Sequence, residues 1–238
     1  MKKLVIANWK TYLTVKDAVM LCENLSKLDN IIISPSMVHI ALLAEKFPHL
    51  KIASQDVSSF TQDYGAYTGE TPTKLLEEMG VKYSIIGHSE RRAYKLDNKD
   101  TIAKKIAFCL DTGITPIICI GETIEDRENN RYLEVIDSQL MALKLSSVSK
   151  VIIAYEPTWS VGTGILPSLE QIKEIMNRIK AAIKFVDNET ILVYGGSVSA
   201  QNAKTILAIP EVNGLLVGKA ATDASHLKSI LNIIKEIE

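Results

Sequence analysis

The sequence predicts an α/β fold, a (β/α)8 barrel in which eight parallel strands stand inside an outer ring of helices. Three observations lead there. Eight short apolar runs rich in β-branched residues recur along the 238 residues, segments of helical spacing separate them, and polar residues of chemically useful type follow the runs. The length is close to the roughly 250 residues typical of one such barrel, and it suffices for one large core.

The runs are Leu4 to Ala7, Ile31 to Ile33, Ile52-Ala53, Ser84 to Ile86, Ile117 to Ile120, Val151 to Ala154, Ile191 to Tyr194 and Leu215 to Val217. Each is too short for a helix and continuous rather than alternating, as in strands covered on both faces of a parallel sheet. The clearest helix follows the sixth run, where Leu169, Ile172, Ile175, Met176, Ile179, Ala182, Ile183 and Val186 recur at three and four to make one apolar stripe. Ser168-Leu169-Glu170-Gln171 opens it with a capping-box pattern, in which the Ser oxygen accepts from a free backbone N–H and Gln171 reaches back. An amphipathic stretch from Asp223 to Glu238 closes the chain. Each unit takes about 30 residues, with no linker or composition shift between units, so residues 1–238 read as one domain. Periodicity leaves a closed barrel and an open doubly wound sheet both possible.

What separates the two is where the polar residues fall. Asn8 and Lys10 follow the first run, His88 the fourth, Glu122 the fifth, Glu156 the sixth, Gly195-Gly196-Ser197 the seventh and Gly218 the eighth. In a parallel barrel these positions converge on one mouth, the C-terminal rim.

Composition excludes several classes. A net charge of −1 provides no surface for nucleic acid or anionic lipid, which need clustered Lys and Arg. No run of about 20 apolar residues spans a membrane. The four apolar residues before Asn8 are too few for a signal-peptide core. Cys22, Cys109 and Cys119 are odd in number and widely spaced, which suggests neither a disulfide framework nor a zinc site. A cytoplasmic location follows, and the sequons at Asn24 and Asn188 read as chance matches. Gly214 to Ala220 is one residue short of a P-loop and lacks Ser or Thr after Lys219, so no nucleotide site is expected.

Seven blocks carry a family resemblance. They are Asn8-Trp9-Lys10, residues 65–70 (GAYTGE), residues 86–92 (IGHSERR), residues 119–122 (CIGE), residues 154–159 (AYEPTW), Gly162-Thr163-Gly164 and residues 194–198 (YGGSV). Together, in this order and at strand ends, they resemble the triosephosphate isomerase family from end to end. Its fold is the TIM barrel. The resemblance implies interconversion of dihydroxyacetone phosphate and D-glyceraldehyde 3-phosphate through an enediolate, a step of glycolysis and gluconeogenesis, without cofactor or metal.

The same resemblance supplies roles. Glu156 is the base, because removing a proton beside a carbonyl requires a carboxylate within a few ångströms in a site shut to water. His88 is the electrophile. The family's histidine is itself a standard example of an imidazole kept neutral by a helix N-terminus, and Ser89-Glu90-Arg91-Arg92 suits a short helix there. Lys10 provides fixed positive charge for the developing anion, with Glu90 as its partner and Asn8 beside it to orient the substrate. Taken alone, a histidine after a strand reads as a packing residue and such a lysine as a solvated charge. His39, His49 and His226 keep that plainer reading.

Backbone N–H groups around Gly162, Ser197 and Gly218, with Lys219, are expected to bind the phosphate. Residues 157–167 resemble the family's lid, with Trp159 as apolar anchor and Glu122 as its indole partner. The long connection from Ser58 to Pro72 implies a homodimer, with Thr68 supporting the neighbouring active site; a plain surface loop is its blander reading. Three departures from the family pattern stand out: Lys219 in place of a second glycine, Asn213 in place of an acid, and Ile165-Leu166-Pro167 ending the lid. Lys219 restricts φ but adds a charge, and Pro167 bears on lid kinetics. The competing readings are another phosphate-binding barrel and a catalytically retired barrel that serves as a binding protein.

Overall fold

The first strand, β1 (Leu4–Asn8), pairs in parallel with both β2 (Ile31–Ser34) and β8 (Gly214–Val217), so the sheet has no edge. Between them run β3 (Lys51–Ser54), β4 (Tyr83–Ile86), β5 (Thr115–Ile120), β6 (Ile152–Tyr155) and β7 (Ile191–Tyr194), each paired with its neighbours in chain order. The closed eight-stranded barrel resolves the choice that periodicity left open. These features come from a computed structural model that describes residues 2–25, 30–144, 150–184, 186 and 190–237. The expected sequons at Asn24 and Asn188 lie partly outside those residues, as does Glu238.

The continuous apolar runs have a geometric cause. Successive strand residues point to opposite faces, and here both faces are dry. Ile6, Ile32, Ala53, Ile85, Ile117, Ile152, Val193 and Leu216 fill the barrel interior. Their neighbours Val5, Ala7, Ile31, Ile33, Ile118, Ile153 and Leu215 face the helices instead. Each Val, Leu or Ile among them contributes roughly 1.5–3 kcal/mol on burial, so a polar residue on either face is strongly disfavoured.

Outside the barrel lie α1 (Val15–Leu25), α2 (Ile40–Lys46), α3 (Thr73–Glu78), α4 (Ser89–Ala93), α5 (Lys99–Asp111), α6 (Ile124–Glu128), α7 (Tyr132–Lys144), α8 (Leu169–Ala182), α9 (Ala200–Leu207) and α10 (Ala224–Ile237). The stripe read from sequence is the buried face of α8, where Ile172, Ile175, Met176 and Ile179 pack on the barrel. Its capping box is present, with Ser168 Oγ accepting from Gln171 N at 3.2 Å and Gln171 Oε1 from Ser168 N at 2.9 Å. The helix ends at Ala182, so Ile183 and Val186 pack beyond it. At the closing helix, Asp223 is the cap rather than the first turn, its carboxylate accepting from Ser225 N and His226 N at 2.9 Å.

Asn213 joins two strands. Its Oδ1 accepts from Leu192 N at 2.9 Å and its N donates to Leu192 O at 2.7 Å. An acceptor oxygen is all that bond requires, so an amide serves there as well as a carboxylate would. The connection 58–72 is closed at its base by Ser58 N donating to Thr71 O, and it leaves Phe60, Tyr64 and Tyr67 exposed.

Candidate active site

The rim is organised from its backbone. Asn8 ends β1 almost fully buried, and its Oδ1 accepts from Lys10 N at 3.1 Å. Lys10 has a φ of 48°, a left-handed conformation that costs a non-glycine residue about 1–2 kcal/mol. Gln55, just beyond β3, helps to hold it there: its Nε2 donates to Lys10 O at 2.8 Å and to Ser34 O at 3.1 Å. The strained backbone aims the ammonium at Glu90, whose Oε1 lies 2.6 Å from Lys10 Nζ.

His88 is the N-cap of α4, and its Nδ1 accepts from Glu90 N at 3.3 Å. With Nδ1 accepting in this way, Nε2 is left as the ring's donor. Nε2 points the other way, 3.4 Å from Glu156 Oε1. Arg92 of α4 is anchored beneath, donating to Gly87 O at 2.7 Å and Cys119 O at 3.0 Å.

Glu156 follows β6 and its N donates to Ile120 O at 2.7 Å. Its side chain is 2% exposed, and neither carboxylate oxygen has a hydrogen-bond partner. Oxygens with no hydrogen bond to give up are free to meet a substrate C–H. Gly195 makes room for it, since a Cβ there would lie 2.8 Å from Glu156 Cγ. Burial and the adjoining Glu156 push the Cys119 thiol well up, so that neighbour stays neutral.

These groups meet at a cleft of about 480 Å³ whose lining includes Lys10, Glu156, Gly162, Ser197, Gly218 and Lys219. The three reactive groups expected from sequence are therefore neighbours: Lys10 contacts Glu90, Glu90 Oε2 is 3.7 Å from His88 Nδ1, and His88 contacts Glu156. Asn8 and His88 stand behind the lining, Asn8 with its Oδ1 committed to the Lys10 backbone. Lys219 lies in a 3-10 turn (Lys219–Thr222) and is not among the positive-φ residues. The backbone conformation there does not require glycine.

Over the cleft, residues 157–167 are tied down at several points. Trp159 Nε1 donates to Glu122 Oε1 at 3.2 Å, the partner expected from sequence, and Tyr155 and Arg127 converge on the same oxygen. Thr158 Oγ1 donates to Glu122 O at 2.9 Å. Gly164 N donates to Ser197 Oγ at 3.0 Å, and the Ser197 hydroxyl donates to Ser160 O. Ser197 N–H, expected to face a phosphate, donates here to Ser160 Oγ at 3.2 Å.

The plainer readings of the remaining histidines hold: His39 is buried, His49 packs edge-on to Phe47, and His226 is exposed. Sequence reasoning missed Gln55, Ser160 and Arg127. Gln55 gave the same signal as Asn8, a polar residue just past a strand; Ser160 and Arg127 gave none, because their contacts with Tyr194, Ser197 and Tyr155 join residues distant in sequence. Among the described residues no group of three His, Cys, Asp or Glu side chains is disposed to hold a metal ion.

Comparison with known proteins agrees with this geometry. A family model described as triosephosphate isomerase matches residues 3–235. The chain is 39% identical to the triosephosphate isomerase of Thermodesulfovibrio yellowstonii, over 97% of this chain and 98% of that one. It is 36% identical to that of Francisella tularensis subsp. mediasiatica and 35% to that of Francisella philomiragia, each over 100% of this chain and 99% of the relative.

Proposed function

The chain belongs to the triosephosphate isomerase family, and from that premise we propose that it interconverts dihydroxyacetone phosphate and D-glyceraldehyde 3-phosphate with Glu156 as base, His88 as electrophile and Lys10 as electrostatic stabiliser. One observation carries the assignment of the base. Glu156 is a buried carboxylate with no hydrogen-bond partner, it faces the His88 N–H, and it lines the cleft that Lys10 also lines.

Glu156 removes a proton from the carbon beside the substrate carbonyl and returns it to the adjacent carbon. The neutral His88 donates Nε2–H to the carbonyl oxygen as charge develops there, and the Lys10 ammonium lowers the energy of the enediolate. Glu90 positions both groups. Asn8 orients the substrate through the rim and through Lys10. Gly162, Ser197, Gly218 and Lys219 bind the phosphate end, where backbone N–H groups supply donors and Lys219 a further charge. The mechanism calls on no cofactor and no metal.

Two further parts belong to the same reading. The chain works as a homodimer through loop 58–72, whose exposed aromatic residues Phe60, Tyr64 and Tyr67 suit a buried contact, and Thr68 supports the partner's site. The enzyme is cytoplasmic, a single (β/α)8 domain with neither nucleic acid nor membrane as partner; three free, buried thiols suit a reducing compartment.

A coupled assay with glyceraldehyde 3-phosphate tests the reaction. Glu156→Gln is expected to lower kcat by about 10³-fold or more while leaving the melting temperature near wild type. Glu156→Asp, which draws the carboxylate back by about 1 Å, should lose about 10²-fold. A Glu156→Gln enzyme with most of its activity would remove Glu156 as base.

A further inference from the structure

At the end of the barrel away from the cleft, the starts of the strands surround a second cavity, of about 230 Å³. Its floor is apolar. Leu4, Tyr83 and Ile191, the first residues of β1, β4 and β7, pack partly buried against the barrel interior, and Ile152, the first of β6, belongs to that interior. All four line the cavity. Its rim is cationic: Lys2 and Lys3 stand just before β1, Lys51 opens β3 and Lys150 stands just before β6. In the closed sheet β1, β3 and β6 are never adjacent, so the lysines border the mouth from three sides. Lys2, Lys51 and Lys150 are exposed, and among the described residues no Asp or Glu lines the cavity. An ammonium has three N–H donors, so a bond elsewhere, such as that from Lys3 Nζ to Val212 O, leaves others to use.

We propose that this mouth is a binding site for a small aromatic carboxylate, whose ring lies on the apolar floor and whose acid group meets the lysines. A cavity of about 150 Å³ takes a benzene ring, so this one has room for a ring with a substituent or for two fused rings. Floor and rim select together. The floor alone would favour a neutral hydrocarbon and the rim alone any anion, whereas a molecule with both an apolar face and a charge satisfies each. Four like charges around one small mouth repel one another, and an anion placed among them relieves that repulsion. The attraction of each exposed lysine is modest and screened by salt, so the ring supplies most of the hold and the charges supply the selectivity. A chain of net charge −1 has no wide cationic surface, which makes the occupant one small anion rather than a polymer. Neither the chemistry at the C-terminal rim nor loop 58–72, which follows the far end of β3, calls on this end of the barrel. A ligand spanning the starts of β1, β3, β4, β6 and β7 stabilises the folded barrel by mass action.

Titration of the full chain with naphthoate, followed by amide chemical shifts and calorimetry, tests the site. Saturable binding is expected with a Kd on the order of 10⁻³ M or tighter. The shifts should centre on Leu4, Lys51, Tyr83 and Ile191, and the melting temperature should rise. Naphthylmethanol, with the same rings and no charge, should bind about tenfold more weakly or worse, and acetate, with the charge and no ring, should not saturate. Lys51→Gln and Lys150→Gln, both at exposed positions, should each weaken naphthoate about two- to fivefold, a loss that shrinks as salt is added. Equal affinity for the neutral analogue, for acetate or for both variants would overturn the proposal. So would the absence of saturation in the millimolar range, or shifts centred on Lys10 and Gly218, which would put naphthoate in the cleft already described. None of these readouts needs turnover, so a chain without isomerase activity overturns the reading of the cleft and leaves this test standing.

Discussion

Lys219 brings a second ammonium to the cleft that Lys10 lines, beside the turn where Gly218 meets only Lys10 Cε, at 3.8 Å, within reach of an added Cβ. Its side chain is exposed, so the attraction for a phosphate dianion is screened by water and salt and stays modest. Because the backbone at Lys219 has no positive φ, replacing it by glycine removes the charge without relieving strain. Lys219→Gly is therefore expected to raise KM for the triose phosphate by about two- to fivefold at low ionic strength, with kcat unchanged. The difference should fade as salt is added across a KM titration. A salt-independent defect would show that Lys219 acts through the backbone turn rather than through its charge.

Among the elements, α8 connects the cover of the cleft to the barrel, because the Ser168 cap follows directly on Pro167, the last residue of segment 157–167. Its four buried apolar residues provide most of its hold, and the capping box fixes where it starts. Ser168→Ala removes the acceptor for Gln171 N and should cost about 1 kcal/mol in urea unfolding. Its m-value should be unchanged, since the same surface is buried. A loss well above that would mean that the cap also restrains the segment before it. At α4, His88 is the N-cap, its Nδ1 accepting from Glu90 N, so the same contact that starts the helix also turns Nε2 toward Glu156.

At the scale of the whole molecule, barrel closure brings together residues that the chain keeps far apart. Beside the rim, Lys105 donates to Asp56 at 2.8 Å and to Asp97, and Arg91 bonds both acids, though Lys105 and Asp97 are nearly inaccessible. Burial pushes the Asp56 carboxyl upward against the opposing pull of Lys105. The cluster ties the middle of α5, at Lys105, and the connection after α4, at Asp97, to Asp56 just before loop 58–72. That loop exposes Phe60, Tyr64 and Tyr67, the first of them 71% accessible, an arrangement that water disfavours unless another surface covers it. Sedimentation at micromolar concentration should accordingly give a species of twice 26.3 kDa. A monomer under those conditions would refute the role given to the loop.

The sequence by itself determined the eight strands, since a run dry on both faces must be apolar throughout, and β1 to β8 fall within a residue or two of those runs. It also determined the catalytic candidates, because Lys10, His88 and Glu156 each follow a strand and belong to blocks with a recognisable family. Only the tertiary structure decided the rest. Strand periodicity alone left closure open, the polar residues past the strands pointed to it, and the structure supplies the contact that achieves it, β1 meeting β8 across some 200 positions of sequence. The strained Lys10 backbone needs Gln55 across the rim. Ser160 reads in sequence as one polar residue in a loop, and it becomes a hub only because the fold brings Ser197 and Tyr194 to its hydroxyl. Hydrophobic burial is written in short-range periodicity, whereas a hydrogen bond between distant residues requires a geometry that only the folded barrel supplies.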